Sequence, residues 1–406
     1  MLSRFFSLGS SIGTRFLSSA FPPLCKLTEE DEMLKEMVGR FSKDRVEPLR
    51  KIMDEKQELD AGILKDLFEQ GLMGIEIPEE YGGANLSFVS SCVAIEELAK
   101  VDPSVAIMVD VQNTLVINSL MSYASKELLE RPLPSLASDT VGCFCLSEAS
   151  SGSDAFSLKA TAEEKSDRWV LNGSKLWISS AKQGGLFVVF ASVDRSKGHK
   201  GITAFLVPRD APGFSIGRKE DKLGLRASAT CEVLLDNCEI PKENLIGEIG
   251  KGYKIAISTL NEGRIGIAAQ MCGLAQGAFD CVLPYLFERK QFGKFIGDFQ
   301  AMQTQYAEVA TEIHAARLLT YEAARMRENG LPFVQQAAMA KWFSSEVAVK
   351  AARKSIEWFG GVGFTKEFDA EKFYRDSIIG TIYEGTSIMN LVTIAKNVRE
   401  LYASKQ

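Results

Sequence analysis

The sequence predicts an α+β protein in which two helical regions flank a region of short strands. Apolar residues recur at helical spacing from residue 28 to about 131, and again from 252 onward. Between about 141 and 250 the pattern changes to short β-type runs separated by turn residues. A chain of 406 residues is longer than one that usually folds around a single hydrophobic core. We therefore expect a helical domain at 27–140, a β domain at 141–251 and a second helical domain at 252–406.

The first helical region predicts several helices joined by short loops. Thr28 followed by acidic residues at 29–31 is typical of a helix start. The apolar spacing predicts two further helices over 88–101 and 104–122. The charged residues of this region are explained as the solvated faces of its helices, and none forms a pattern typical of a catalytic or binding site.

The β region predicts a small barrel or sandwich. The β-rich runs are 169–171, 175–178, 186–193, 202–207 and 230–235. Asn172-Gly173 lies between the first two runs and predicts a two-residue hairpin turn there.

The last region predicts four long helices, at 255–286, 299–328, 332–359 and 387–401. The first of these carries four glycines, which permit another backbone to approach closely: Gly263, Gly266, Gly273 and Gly277.

Composition narrows the chemistry. The net charge of −6 gives no broad basic surface for nucleic acid. The eight cysteines contain no CxxC pair, and the two histidines, His199 and His314, are far apart. We expect no metal site and no serine hydrolase triad, so carboxylates, arginines and hydroxyls have to carry any reaction.

The first 26 residues differ from the rest of the chain. They contain Arg4, Arg15 and Lys26 among serines and apolar residues, with no acidic residue before Glu29. This composition is typical of a mitochondrial transit peptide; an unstructured tail without an address is the alternative. Because no apolar run approaches the length of a membrane span, we expect a protein of the mitochondrial matrix.

Glu384 is the candidate catalytic base. It stands between the apolar segment 379–383 and the small-residue turn 385–387. Burial beside an aromatic ring raises a carboxyl pKa into the range useful for proton abstraction. The alternative is a surface glutamate that caps the following helix.

Other segments could hold a ligand, although each also has a simpler structural explanation. The turn 144–154 could hold a phosphate or ring carbonyls, and 177–180 sets a tryptophan beside hydroxyls. Asn261–Arg264 offers a fixed cation, and the glycines of 357–363 permit a close backbone approach. No GxGxxG or Walker loop is present.

Together these segments resemble the acyl-CoA dehydrogenases, most closely their short/branched-chain members, from about residue 27 to 401. The matching strings are 74–83 (GIEIPEEYGG), 144–154, 171–180 (LNGSKLWISS), 222–228 (KLGLRAS), 261–270 (NEGRIGIAAQ), 289–293, 357–363 and 382–387.

The resemblance implies a C-terminal four-helix bundle, a homotetramer, and FAD bound between the β domain and the C-terminal helices, often across a subunit boundary. The implied FAD contacts are Phe144, Leu146, Ser147, Gly152, Ser153, Trp177, Ile178, Ser179, Arg289, Gln300, Glu357, Trp358, Phe359, Gly360, Gly361, Thr386, Ser387 and Ile388. The implied acyl-CoA contacts are Ser153, His199, Tyr253, Asn261, Glu262, Gly263, Arg264 and Gly385.

The resemblance also implies a reaction. Some family members carry the base just before the arginine of the 261–264 segment; here that position is Gly263, which leaves Glu384. Glu384 would remove the proton next to the thioester carbonyl while a hydride passes to the flavin, giving a trans-2-enoyl-CoA. Its backbone N–H and an FAD hydroxyl would bind the developing oxyanion. Electrons would pass to an electron-transferring flavoprotein, in branched amino-acid or fatty-acid catabolism.

Two other functions remain open at this point. The same site could run in reverse as a 2-methyl-branched enoyl-CoA reductase, or the chain could be a non-catalytic acyl-CoA or flavin-binding scaffold.

Two positions depart from the family pattern. His199 stands where branched-chain relatives have a tyrosine near CoA, and Ser150-Ser151 replaces a Gly-Ala-type pair, which is tolerated if neither serine has a positive φ.

Overall fold

The computed structural model describes residues 26–403. Except for Lys26, the predicted transit peptide lies outside the described residues. The described part follows the predicted order of helices, then strands, then helices.

The N-terminal region consists of helices joined by loops, without a β-strand between residues 26 and 140. Thr28 and Asp31 form a capping box at the first helix, where the Thr28 hydroxyl accepts from the Asp31 N–H at 3.1 Å. This confirms the predicted helix start. The helices are α1 (Glu29–Phe41), α2 (Arg50–Lys56), α3 (Ala61–Glu69), α4 (Phe88–Ala99), α5 (Pro103–Asp110), α6 (Asn118–Tyr123), α7 (Lys126–Leu129) and α8 (Leu133–Ser138).

A π-helical segment, Val111–Ile117, joins α5 to α6. The predicted helix over 104–122 is therefore continuous, but its middle is wound more widely than an α-helix. π-helical turns are rare and occur frequently at functional sites. Every residue of this segment is buried.

The middle region forms one eight-stranded mixed sheet. Its strands follow the order β6-β7-β3-β2-β4-β5-β8, and β1 pairs with β4 in parallel. The bounds are β1 (Val141–Cys145), β2 (Thr161–Glu164), β3 (Arg168–Ile178), β4 (Gly184–Ser192), β5 (Ile202–Pro208), β6 (Phe214–Lys219), β7 (Cys231–Pro241) and β8 (Leu245–Ile246).

The predicted hairpin at Asn172-Gly173 is wrong. β3 runs straight through these residues and pairs with β7 on both sides of them, with a register shift between Leu171 and Gly173. Gly173 has φ +144, and a Cβ there would lie 2.8 Å from Ala160. The glycine is required by a β-bulge against a close neighbour, and not by a turn.

The two faces of the sheet serve different cores. Phe187 and Val189 of β4 lie in a core within the β region, whereas Val188 and Phe190 pack in the core shared with the helices. This alternation is what a strand that is buried on both faces produces.

The C-terminal region consists of α9 (Gly252–Glu288), α10 (Gln300–Glu328), α11 (Val334–Phe359), α12 (Ala370–Ser377) and α13 (Ser387–Ala403), with a small hairpin of β9 (Lys290–Gln291) and β10 (Lys294–Phe295). The close packing predicted from the glycines is confirmed. A Cβ at Gly273 would lie 2.2 Å from the Glu96 carbonyl oxygen, and one at Gly277 would lie 2.1 Å from that of Lys100. α9 therefore packs on α4 almost backbone to backbone.

Two segments are long and apolar enough to cross a membrane by length and composition, Pro103–Tyr123 and Gly252–Glu288. The sequence prediction that no run reaches this length is therefore not confirmed. The apolar windows of the two segments are 94% and 78% buried inside the fold, as in core helices.

Candidate active site

Glu384 lies in a left-handed turn between a 3₁₀ turn (Ile378–Thr381) and α13. Its φ is +50 and that of Gly385 is +88. A glutamate rarely adopts this conformation, and strain of this kind tends to cluster at functional sites. The helix is capped by Thr386, whose hydroxyl accepts from the Met389 N–H at 3.2 Å. The capping alternative for Glu384 is therefore wrong.

The Glu384 carboxylate points into the protein. Its Oε2 atom is buried and has no hydrogen-bond partner within residues 26–403. Burial raises the pKa of Glu384 to about 7, and the opposing charges of Arg264 and Lys341 limit the rise. A carboxyl group with a pKa near neutrality can take up a proton and release it under physiological conditions.

Gly263 on α9 lies directly against this carboxylate. A Cβ at Gly263 would lie 3.1 Å from Glu384 Oε2 and 2.6 Å from Leu115 Cδ2. The two alternative base positions named from the sequence thus converge on one place in the fold. Glycine at 263 leaves that place to Glu384.

Lys341 holds the turn that carries Glu384. It lies on α11, is completely buried, and donates to the carbonyl oxygens of Gly380 at 2.6 Å and Gly385 at 2.7 Å. Burial lowers the pKa of Lys341 to about 7, although the charge of Glu384 acts to raise it. Sequence reasoning missed this residue. The available signal was a lysine whose neighbours three and four residues away along the helix are all small: Ala337, Ala338, Ser344 and Ser345.

Asp110 is a second buried carboxyl group near the base. Its Oδ1 atom accepts from the Thr114 hydroxyl at 2.9 Å and lies against Gly266, one turn along α9 from Gly263. Burial, with a smaller effect of Glu384, raises the pKa of Asp110 well above its usual range. Asp110 was also missed, because its contact with Gly266 joins helices that are far apart in the sequence.

The segment Asn261–Arg264 divides into two sets of contacts. Arg264 faces the Glu384 turn and donates to Asn261 Oδ1 at 2.9 Å, while its Nε is buried with no partner among the described residues. Glu262 accepts instead from Arg327 at 3.0 Å and Asn118 at 2.9 Å. The predicted acyl-CoA contact of Glu262 therefore competes with an existing ion pair that joins α9 to α10.

A buried ion pair stabilises the turn after β1. Lys175 donates to Glu148 at 2.7 Å and to the Leu146 carbonyl oxygen at 3.1 Å, and Glu148 also accepts from the Lys159 N–H at 2.7 Å. Ser150 and Ser151 are absent from the residues with positive φ, as the sequence analysis required. The turn is rigidly held although its outer residues, Gly152 and Ser153, are exposed.

Trp177 presents its ring next to this turn. It has φ +63 and is 61% exposed, which is unusual for so large an apolar side chain. Ile178 is buried in the sheet, so only its backbone can contact a ligand, and Ser179 is partly exposed. An exposed ring beside a polar turn suits a flat, partly polar molecule.

Tyr253, Phe156 and His199 form an aromatic cluster at the start of α9. The Tyr253 ring centroid lies 4.2 Å from that of Phe156 and 4.7 Å from that of His199. The structure thus brings together two residues that the resemblance assigns to acyl-CoA, His199 and Tyr253.

The remaining predicted cofactor residues lie at the other end of α9. Arg289 follows Glu288, which is about 37 Å along the helix from Gly263 at about 1.5 Å per residue. Glu357, Gly360 and Gly361 are exposed, whereas Trp358 and Phe359 pack against Phe279 and Tyr285 of α9. Gln300 is also exposed, at the start of α10. One chain does not bring these residues to the Glu384 turn.

The site contains no metal cluster: within residues 26–403, no group of three or more histidine, cysteine, aspartate or glutamate side chains is placed to hold a metal ion.

Comparison with known families agrees with this geometry. Models of the acyl-CoA dehydrogenase N-terminal, middle and C-terminal domains match residues 28–140, 143–238 and 250–399. The chain belongs to the acyl-CoA dehydrogenase family. It is an FAD-dependent oxidoreductase with the α+β fold expected from the sequence.

Relatives indicate the branch of the family. The chain is 60% identical, over 94% of its length and 92% of the relative, to a probable short/branched chain specific acyl-CoA dehydrogenase of Dictyostelium discoideum. It is 52% identical to the mitochondrial short/branched chain specific acyl-CoA dehydrogenase of Rattus norvegicus, over 94% and 88%.

Solved structures share the whole fold. Butyryl-CoA dehydrogenase from Megasphaera elsdenii has a TM-score of 0.90 at 35% identity, covering 92% of this chain and 99% of that one. A chain in the structure of the electron transferring flavoprotein of Acidaminococcus fermentans has a TM-score of 0.91 at 40% identity, covering 93% and 99%. A glutaryl-CoA dehydrogenase from Mycobacterium smegmatis, in complex with FADH2, has a TM-score of 0.87 at 30% identity, covering 92% and 95%.

The residues present fit FAD. Trp177 gives an exposed aromatic surface, and the turn held by Lys175 and Glu148 gives polar backbone groups. The left-handed turn offers Glu384, whose buried Oε2 has no partner among residues 26–403. The second group of residues, around Arg289 and Gly360, lies near the C-terminal end of α9.

Proposed function

We propose that this acyl-CoA dehydrogenase oxidises short, 2-methyl-branched acyl-CoA thioesters to trans-2-enoyl-CoA, with Glu384 as the catalytic base. The observation that carries the proposal is the buried Glu384 carboxyl group, which lies against Gly263, has a pKa of about 7, and whose Oε2 has no hydrogen-bond partner in the described part of the chain. The 60% and 52% identical relatives, both named as short/branched chain specific, support the substrate class.

Glu384 removes the proton from the carbon next to the thioester carbonyl. Its burial disfavours the ionised form, so the carboxylate gains by accepting a proton, while Arg264 and Lys341 keep a sufficient fraction ionised near neutral pH. FAD, when bound, supplies the acceptor for the hydride that leaves the next carbon.

The negative charge that develops on the thioester oxygen needs a donor held in place. Within residues 26–403 no group accepts a hydrogen bond from the backbone N–H of Glu384. Because the turn is fixed at φ +50, this N–H is available as a preorganised donor to that oxygen.

The aromatic cluster of Tyr253 and His199 lies at the entrance end of α9 and binds the CoA part of the substrate. The distal residues Arg289, Gln300 and Glu357–Gly361 bind the phosphate and adenosine part of FAD in a neighbouring subunit of a homotetramer. Electrons pass to an electron-transferring flavoprotein in the mitochondrial matrix. The mitochondrial rat relative supports the location, and the Acidaminococcus structure supports the partner.

An anaerobic substrate panel tests the proposal. The yellow holoenzyme is mixed with 2-methylbutyryl-CoA, isobutyryl-CoA, butyryl-CoA and octanoyl-CoA, and flavin absorbance is followed. We expect the fastest bleaching with the short 2-methyl-branched thioester. Faster bleaching by octanoyl-CoA would overturn the substrate class, and no bleaching by any thioester would overturn the proposed reaction. Measuring the flavin potential with ligand bound then distinguishes oxidation from the reverse, enoyl-reducing direction.

A further inference from the structure

The buried lysine on α11 has a geometry that links it to the base. Lys341 is completely buried, and its ammonium donates to two backbone carbonyl oxygens, Gly380 at 2.6 Å and Gly385 at 2.7 Å. These two residues stand on either side of Glu384. The Ser345 hydroxyl donates to the same Gly380 oxygen at 2.8 Å, so the Gly380 end of the turn accepts two side-chain hydrogen bonds.

We propose that Lys341 is a positioning residue for Glu384, whose ammonium group clamps both ends of the left-handed turn and, together with Arg264, places a positive charge beside the buried carboxylate. This inference rests on the proposed function of Glu384 as the base.

The clamp has a conformational role. Glu384 at φ +50 is followed by Gly385 at φ +88, and such a pair persists only when surrounding contacts determine it. Asn390 adds a second contact by donating to the Gly385 oxygen at 2.8 Å. Lys341 is the group that reaches both Gly380 and Gly385, so it fixes where the carboxylate and the backbone N–H of residue 384 point.

The clamp also has an electrostatic role. A charged group buried without a partner is costly, and Lys341 is held by carbonyl dipoles with the Glu384 carboxylate as a nearby opposite charge. The lysine and the glutamate thus stabilise each other's charged forms. Neither is fully charged at neutral pH, because burial brings both pKa values to about 7.

The other titratable groups that face this pair lie on α9, on α5, on the turn itself and on α11. Arg264 on α9 favours the ionised form of Glu384 and disfavours that of Lys341. Asp110 on α5 and Tyr383 on the turn itself both experience the charge of Glu384. Glu346, one turn along α11, supports the charge of Lys341 and accepts from the Ser387 hydroxyl at 2.9 Å.

The size of the effect follows from the charge removed. Loss of a nearby positive charge raises a carboxyl pKa by about 1 unit or more. A rise of Glu384 from about 7 to about 8 reduces its ionised fraction at pH 7 about fivefold, and at pH 9 by less than about twofold. The rate loss in a neutral variant therefore depends strongly on pH.

The test uses holoenzyme variants Lys341→Gln, Lys341→Met and Lys341→Arg, with Lys350→Met as the control. Lys350 lies on the same helix but bridges Glu308 and Glu312 at the surface. Flavin reduction by 2-methylbutyryl-CoA is measured anaerobically from pH 6 to 9, and Glu384 is titrated separately through the protonated-carboxyl infrared band that Glu384→Gln removes.

We expect the infrared midpoint of Glu384 to rise by about 1 pH unit in Lys341→Gln and Lys341→Met, and to stay near the wild-type value in Lys341→Arg and Lys350→Met. The acid limb of flavin reduction should move by the same amount. Slower reduction with an unmoved midpoint would make Lys341 a merely structural residue and overturn the proposal, and so would an equal shift in Lys341→Arg.

If Lys341→Met does not fold, Lys341→Gln still separates charge from hydrogen bonding, because its amide can donate to the same carbonyl oxygens. The infrared titration needs no turnover. If none of the thioesters tested reduced the flavin of the wild-type enzyme, the proposed function would fail. The comparison of the infrared midpoints would still decide the electrostatic role of Lys341.

Discussion

Adding one methyl group at Gly263 is expected to displace the base without disturbing the rest of the enzyme. In Gly263→Ala the new Cβ would lie 2.6 Å from Leu115 Cδ2 and 3.1 Å from Glu384 Oε2. Leu115 must move by about 1 Å and Glu384 by a few tenths of an ångström to restore ordinary contact distances. A misplacement of about 1 Å lowers a rate about 100-fold, so the smaller displacement of the reacting group Glu384 should lower it by about three- to tenfold.

The stability change should be small by comparison. Alanine in place of glycine within a helix stabilises the helix by about 1 kcal/mol. Overpacking a tight site costs about 1–3 kcal/mol. We therefore expect Gly263→Ala to be between neutral and about 2 kcal/mol destabilised, with FAD still bound.

Anaerobic stopped-flow measurement of flavin reduction checks this prediction, and thermal melting checks the stability. Gly39→Ala is the matched control, since Gly39 lies inside α1 and a Cβ there would meet only Glu97 Oε2 at 3.7 Å. Wild-type reduction rates in Gly263→Ala would refute the reasoning, because the base would then tolerate an atom in the space it is thought to need.

Three further predictions concern single residues. The rate of flavin reduction should increase with pH through about 7, as Glu384 ionises. Glu384→Gln should raise the melting temperature more at pH 8 than at pH 5, because a carboxyl group whose pKa is raised in the folded state lowers the stability as the pH rises. An equal gain at both pH values would contradict the assigned pKa. Glu148→Ala should lower the free energy of unfolding by about 3–5 kcal/mol, because it leaves the buried Lys175 without its ion-pair partner, and should also reduce the flavin content. Thermal melting and flavin absorbance measure these effects, with the exposed Glu163→Ala as the control. A melting temperature equal to that of the control would count against this role. His199→Ala should raise the KM for acyl-CoA about two- to tenfold, because the ring contact with Tyr253 is lost, while the limiting rate of flavin reduction changes less than about twofold. A large fall in that rate would instead indicate that His199 takes part in the reaction itself.

Much of the fold could be predicted from local patterns. The four C-terminal helices were placed within a few residues, because their apolar spacing is long and regular. The hairpin at Asn172-Gly173 was wrong because the same dipeptide suits a turn and a bulge, and only the contact with Ala160 decides between them. β2 and β6 were missed because both are short and partly exposed.

The site was predicted in outline from its motifs, and the structure adds the residues that support it. Glu384 and Gly263 come together as the resemblance implied. Lys341 and Asp110 were missed, because their importance arises mainly from contacts between helices far apart in the sequence. The separation of Arg289 from the Glu384 turn is likewise a property of the length of α9.

The most direct test of the catalytic claim is the anaerobic reaction of Glu384→Gln holoenzyme with 2-methylbutyryl-CoA. Glutamine keeps the size of the side chain and cannot accept the substrate proton. We predict a yellow protein that binds the thioester, seen as a perturbed flavin spectrum, and bleaches at less than about a thousandth of the wild-type rate. Bleaching within about tenfold of wild type would contradict the assignment of Glu384 as the base.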